Sequence, residues 1–164
     1  INHDRKKSLN DNLMLFFTGF SRFSSDIAKK QEEKIEEKEQ LLLEMKKLVD
    51  EAEKILTSKT DLNEFGRLLD YTWRLKRMIT TDISTEPIDI FYRRALRAGA
   101  AGGKLLGAGG GGFLLFYVER DKQINVRKAL EDLLYVPFEF ESGGTRIMYY
   151  KSESFDLKGI KTGT

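Results

Sequence analysis

Gly107-Ala108-Gly109-Gly110-Gly111-Gly112 restricts this chain more than any other segment. With Gly102 and Gly103 just upstream, seven of the 14 glycines fall within residues 102–112. A connection between two elements needs a glycine or two for positive φ and close packing, not a run of this density. Each surplus glycine costs roughly 0.5–1 kcal/mol relative to alanine wherever the chain is ordered. Contact with a phosphate is one explanation, because glycines let successive backbone N–H groups converge on an anion without a Cβ in the way. A tight packing turn is the other, and the residues alone leave both open.

Two familiar phosphate loops are excluded by context. Gly107, Gly109 and Gly112 satisfy G-x-G-x-x-G, but the dinucleotide fingerprint needs a strand before the loop and a helix after it. Here the pattern predicts a helix before and a strand after. A Walker A loop ends in Gly-Lys-Ser/Thr, whereas Phe113 follows Gly112. A helix leading into the loop would offer its negative C-terminal end, so an anion would have to be held by loop amides, Lys104 or another helix.

Along the rest of the chain, Asn10-Asp11-Asn12 reads as a turn and Leu13 to Thr18 as a buried strand ending at Gly19. No Gly or Pro interrupts Ser24 to Leu56, which predicts one helix or two nearly continuous ones. Its first half, Lys29 to Glu39, is almost all charge and reads as a solvated face, while Leu41, Met45, Leu48, Ala52 and Ile55 form a packing stripe. Asp26, at the start of this stretch, suits a dipole-stabilising position better than a catalytic base. Asp61 and Glu64 suggest a capping box for a second helix, with Phe65, Leu68, Leu69, Thr72, Leu75 and Ile79 inward.

Pro87 suits the first turn of a third helix, running toward the small residues Ala98 to Gly103. Phe113 to Val118 is a second apolar strand and Val126 to Leu134 a short amphipathic helix. Phe138 to Glu141 and Arg146 to Tyr150, around Gly143-Gly144, read as a hairpin. This order predicts an α+β domain: a ferredoxin-like split βαβ antiparallel sheet with an added helical bundle. Residues 1–150 are expected to form one domain and residues 151–164 a polar tail.

Composition narrows the chemistry. The chain has no cysteine, and its one histidine, His3, lies in a polar N-terminal stretch expected to fray. Thiol catalysis, thiolate metal sites and histidine triads are therefore excluded or poorly supported, leaving carboxylates, lysines, arginines, hydroxyls and amides. A net charge of +2 gives no general pull toward nucleic acid or an anionic membrane, so neither is expected as a partner. The longest mainly apolar run, Leu105 to Val118, falls short of the ~20 residues that cross a bilayer. No signal peptide is visible at the first residues, and a cytoplasmic location is the expectation. The chain begins with Ile1 rather than Met, as a piece of a longer protein would.

Gly103-Lys104-Leu105-Leu106-Gly107-Ala108-Gly109-Gly110-Gly111-Gly112-Phe113 resembles the third conserved motif of the GHMP kinases. Leu13 through Ile27, with Thr18-Gly19-Phe20-Ser21-Arg22-Phe23-Ser24-Ser25 at its centre, is similar to the D-glycero-D-manno-heptose 7-phosphate kinase branch. The likeness runs from about Leu9 to Tyr150.

The resemblance implies the C-terminal half of a two-domain kinase in which ATP-Mg²⁺ lies between the halves. The γ-phosphoryl would pass to a sugar hydroxyl, the anomeric one of a heptose 7-phosphate. The family's main nucleotide loop and usual catalytic aspartate belong to an N-terminal half that these residues do not contain. No catalytic residue is therefore assigned here, and the chain alone is expected to have little or no kinase activity.

The same resemblance implies roles for particular residues. Gly107, Ala108, Gly109, Gly110, Gly111 and Gly112 would lie near the β- and γ-phosphates, with Lys104 beside them. Thr18, Ser21 and Arg22, just past the first strand, would meet the sugar or sugar phosphate. Arg74 and Arg77, flanking Trp73, read as ordinary snorkelling cations. The alternative to an enzyme is a non-enzymatic ferredoxin-like domain that senses a small molecule or binds a partner. RNA binding through the Phe113-bearing strand is disfavoured by the balanced charge.

Overall fold

In the computed structural model, which describes residues 1–20, 24–141, 143–147 and 149, six helices surround a four-stranded antiparallel sheet. The elements are α1 (His3–Asn12), β1 (Leu13–Phe17), α2 (Ser24–Glu32), α3 (Glu39–Thr57), α4 (Asn63–Arg77), α5 (Glu86–Arg97), β2 (Gly102–Leu105), β3 (Phe113–Tyr117), α6 (Gln123–Ala129) and β4 (Leu134–Val136). Short 3-10 turns lie at Thr81–Ile83 and Arg120–Lys122. The sheet order β2-β3-β1-β4 places two βαβ units across one another, each enclosing an antiparallel strand of the other. This is the expected ferredoxin-like split βαβ arrangement, with α2, α3 and α4 as the added bundle.

Alternation along the strands sorts side chains onto two faces. Met14, Phe16, Leu105, Leu114 and Phe116 share one face and pack against Ile88, Tyr92 and Ala95 of α5 and Val126 of α6. Leu13 and Tyr117, on the other face, meet Leu9 of α1 and Leu62, Phe65 and Leu69 around the start of α4. Toward the glycine loop this second face is less covered: Phe17 and Phe113 pair their rings at 5.1 Å, and Phe113 and Leu134 stay exposed. Helix α4 lies along the edge strand β2, where an open row of backbone groups would otherwise invite pairing with another chain.

Several elements differ from expectation, each for a tertiary reason. The N-terminal stretch is a helix, not frayed chain, and Asn10-Asp11-Asn12 end it rather than forming a separate turn. Asn2 caps it by accepting from the Arg5 amide at 2.8 Å. The Arg5 guanidinium then donates to the carbonyls of Ile55, Leu56 and Thr60, satisfying the C-terminal end of α3. Helix α1 carries one buried apolar residue, Leu9, so it shows no amphipathic stripe in the sequence.

No helix leads directly into the glycine loop. Helix α5 stops at Arg97, where Gly99 (φ +111°) closes a Schellman-type end: Gly99 N–H donates to Leu96 O and Ala100 N–H to Ala95 O. Gly102–Leu105 then forms a strand, so the loop joins the two strands of an antiparallel pair. The helix end expected to lead into the loop is replaced by a strand.

The helix expected over Val126 to Leu134 runs instead over Gln123–Ala129, and Leu134 opens β4. The described residues of the expected hairpin, 138–141, 143–147 and 149, carry no strand, and Met148 and Tyr150 lie outside the described residues. There Asn10 of α1 takes the place of a partner strand. Its side chain donates to Phe138 O and accepts from Phe140 N–H. Asp61 does cap the entry to α4, accepting from Asn63 N–H at 3.0 Å, but Glu64 pairs with Arg67 instead of completing a box.

Tyr92 ties α5 to α4 and β2, its hydroxyl lying 2.7 Å from Asp70 Oδ1 and 2.9 Å from Gly103 O. Burial, first, and then the Asp70 carboxylate push this phenol well above its ordinary value of 10.0. The unfolded chain ionises Tyr92 near pH 10 while the folded chain keeps its proton. The contribution is therefore complete below that pH and is lost progressively above it. Tyr92→Phe should flatten the alkaline limb of a stability-versus-pH curve. An alkaline limb as steep as that of the parent would remove Tyr92 as its cause.

Candidate functional site

The glycine loop is held at three points by elements distant in sequence. Gly110 N–H donates to Ile83 O at 3.0 Å, Gly112 N–H to Phe20 O at 2.9 Å, and Gln31 of α2 donates to Ala108 O at 2.8 Å. Close approach explains part of the glycine content. A Cβ on Gly109 would stand 2.8 Å from Ile83 Cα and O, and one on Gly111 would stand 2.5 Å from Phe20 O. Gly107, Gly109, Gly110 and Gly112 all have φ between +73° and +130°. Packing thus claims some of these glycines.

Packing does not account for Gly107, which is exposed, or for Gly112, where an added Cβ would meet nothing within 4 Å. The amides of Gly107, Ala108, Gly109 and Gly111 have no hydrogen-bond partner among the described residues. A bend with several uncommitted N–H groups beside cations has the chemistry of an anion cradle.

Two lysines supply those cations. Lys104, at the third position of β2, shares the less covered sheet face with its register partner Leu115. Lys76, in the last turn of α4, donates from Nζ to Gly107 O. Burial depresses the Lys104 ammonium below its ordinary range, and burial followed by the charge of Lys104 does the same to Lys76. Sequence reading passed over Lys76. Its only signal was a basic residue in a last helical turn, which ordinarily means a solvated charge at the dipole's negative end.

Thr18, expected at the substrate, is 5% exposed and holds the loop. Its N–H and its hydroxyl both donate to Gly112 O at 2.9 Å, and the hydroxyl accepts from Phe20 N–H. Ser21 and Arg22 lie outside the described residues. Arg74 and Arg77 pair with Asp70 and Asp89 and, with Arg93, line a surface cavity of about 670 Å³ to which the glycine loop does not contribute. Among the described residues no group of three or more His, Cys, Asp or Glu side chains could hold a metal ion. No helix among them is long and apolar enough to cross a membrane.

Residues 45–136 match the family described as GHMP kinases C terminal. The chain is 30% identical over 151 residues to a D-glycero-alpha-D-manno-heptose 7-phosphate kinase of Campylobacter jejuni, a match covering 91% of this chain and 40% of that protein. It is 39% identical over 90 residues to a mevalonate kinase of Pyrococcus horikoshii, covering 52% of this chain and 26% of the relative. Among solved structures, the mevalonate kinase of Methanococcus jannaschii superposes with a TM-score of 0.69 at 26% identity, over 83% of this chain and 42% of the other. The chain thus spans less than half the length of the relatives it matches. Its matched residues run from the middle of α3 to β4 and take in the glycine loop, and on that match the chain belongs to the GHMP kinase family through its C-terminal domain.

Proposed function

We propose that this chain is the C-terminal half of an ATP-dependent sugar kinase, acting on the anomeric hydroxyl of a heptose 7-phosphate. In this reading residues 1–150 are a single domain with a polar tail at 151–164. An N-terminal half supplies the main nucleotide loop and the catalytic base. The acceptor oxygen bonds to the γ-phosphorus as the bond to the β,γ-bridging oxygen breaks, its proton passes to that base, and ADP leaves.

The loop's part is positioning and charge stabilisation. The uncommitted amides of Gly107, Ala108, Gly109 and Gly111, with Lys104 beside them, face the terminal phosphates, while Gly110 and Gly112 fasten the loop. Thr18 locks the loop to the end of β1, and Ser21 and Arg22, next in the chain, meet the sugar phosphate. The Mg²⁺ of ATP is assigned to the nucleotide phosphates and the other half. The half-covered apolar strip of Phe17, Phe113 and Leu134 suits contact with that half. A cytoplasmic location agrees with a soluble metabolite as substrate.

The observation that carries the reading is the set of unpartnered loop amides in a chain of this family. Gly107 allows a clean test, because an added side chain meets open space and Asn and Asp both tolerate its φ of +79°. In the complete enzyme, Gly107→Asp should lower kcat/KM for ATP by about tenfold or more relative to the uncharged Gly107→Asn. Equal values for the two would take the loop away from the nucleotide. Failure of the complete enzyme to phosphorylate any sugar or sugar phosphate would end the kinase reading.

A further inference from the structure

We propose that Lys76 and Lys104 form a paired-ammonium site for a phosphoryl dianion, with Lys76 as a binding residue reaching the glycine loop from α4. The inference deepens the kinase reading and rests on it for the identity of the ligand; the site itself rests on the placement of the two lysines. Each is only partly exposed, and no ion pair joins either to a carboxylate among the described residues. Burial depresses both ammonium groups, and the charge of Lys104 depresses Lys76 further.

Three other described cations near this end of the domain are matched. Lys30 reaches Asp82 at 2.8 Å, Arg77 pairs with Asp89 and Arg74 with Asp70. Lys76 reaches the loop from α4, which packs on β2, and Lys104 lies in β2 three residues before Gly107; two partly desolvated ammonium groups meeting at one loop without a counter-charge are stabilised when an anion binds there. The donor set selects the kind of anion. Two positive charges match a doubly charged phosphoryl group better than a singly charged carboxylate. Compact ammonium donors and converging amides suit a tetrahedral oxygen array, whereas a planar carboxylate is met best by the fork of an arginine. Lys76 spends one donor on Gly107 O, which brings its charge to the free amides of Gly107 and Ala108 and leaves its other two donors for a ligand.

The phosphoryl group could belong to the nucleotide or to a sugar phosphate, and a titration separates them. Inorganic pyrophosphate, tripolyphosphate and mannose 6-phosphate are titrated calorimetrically into the 164-residue chain at low salt. Pyrophosphate should bind, and Lys76→Gln and Lys104→Gln should each weaken it by about tenfold or more. Lys76→Arg, which keeps the charge, should lose much less. Tighter binding of tripolyphosphate than of mannose 6-phosphate supports the site and assigns it to the nucleotide; the opposite order supports it and assigns it to the acceptor. Undiminished pyrophosphate affinity in the double glutamine variant, with an unchanged circular dichroism spectrum, would overturn the proposal, as would no binding by the parent chain. Pyrophosphate bound through the pair in a complete enzyme that phosphorylates no sugar would leave the site standing and remove the kinase reading. An active enzyme whose KM values ignore Lys76→Gln, with no pyrophosphate bound by the chain, would do the reverse.

Discussion

Gly102→Ala is expected to destabilise the domain by about 3 kcal/mol or more, beyond the usual range for a single added methyl group. A Cβ at this position would stand 1.9 Å from the carbonyl oxygen of Gly66 and 2.8 Å from its carbon, with Asp70 Cβ at 2.9 Å. The first two are backbone atoms of α4, so no rotamer change relieves the overlap. Helix α4 would have to retreat from β2. That movement would open the sheet edge, pull Asp70 from Tyr92 and carry Lys76 away from Gly107. Urea denaturation measures the loss directly. A Gly102→Ala protein within 1 kcal/mol of the parent would mean that α4 and β2 are not in backbone contact. Gly107→Ala should cost about 1 kcal/mol, since it adds only backbone strain at positive φ without a clash.

Trp73 separates volume from polarity. It is fully buried among Tyr92, Ile79 and Ile88, with its ring centroid 6.2 Å from that of Tyr92. Trp73→Ala should therefore cost about 3–5 kcal/mol through lost contact and the cavity left behind. Its indole N–H is buried with no partner among the described residues, a burden of about 1–3 kcal/mol that a tryptophan normally avoids. Trp73→Phe removes that orphan donor while keeping an aromatic ring. It should fall within about 1 kcal/mol of the parent, much nearer to it than to Trp73→Ala. Equal losses for Phe and Ala would show that the indole donor is satisfied in solution.

Legibility in the sequence followed the range of the interactions. Strands β1 and β3 were visible because Leu13–Phe17 and Phe113–Tyr117 are continuous apolar runs, and both proved central in the sheet. Helices α3, α4 and α5 showed stripes at helical spacing, and Pro87 marked the start of α5. Helix α1 did not show because its stabilisation comes from Arg5 binding the end of α3, some fifty residues away. Strand β2 did not show because Gly102 and Gly103 are poor strand formers, and only tertiary contacts explain them: α4 crowds Gly102, and Leu115 and Phe116 of β3 crowd Gly103.

The glycine loop was legible as an anomaly of composition, and the family motif within it was legible as a motif. Its division of labour was not. Gly109 and Gly111 serve close packing against Ile83 and Phe20, whereas Gly107 stands in open space with its amide free. Thr18 sits next to the loop but turns its hydroxyl into it, a direction set by the exit path of β1.

The sequence by itself determined the antiparallel α+β architecture and the phosphate-loop candidate, because periodicity and glycine density are local properties of a chain. Only the tertiary structure brought Lys76 to the glycine loop that follows Lys104, since one comes from a helix and the other from an edge strand 28 positions later. Charge proximity of that kind depends on how α4 lies against β2, and no spacing rule along the chain encodes it.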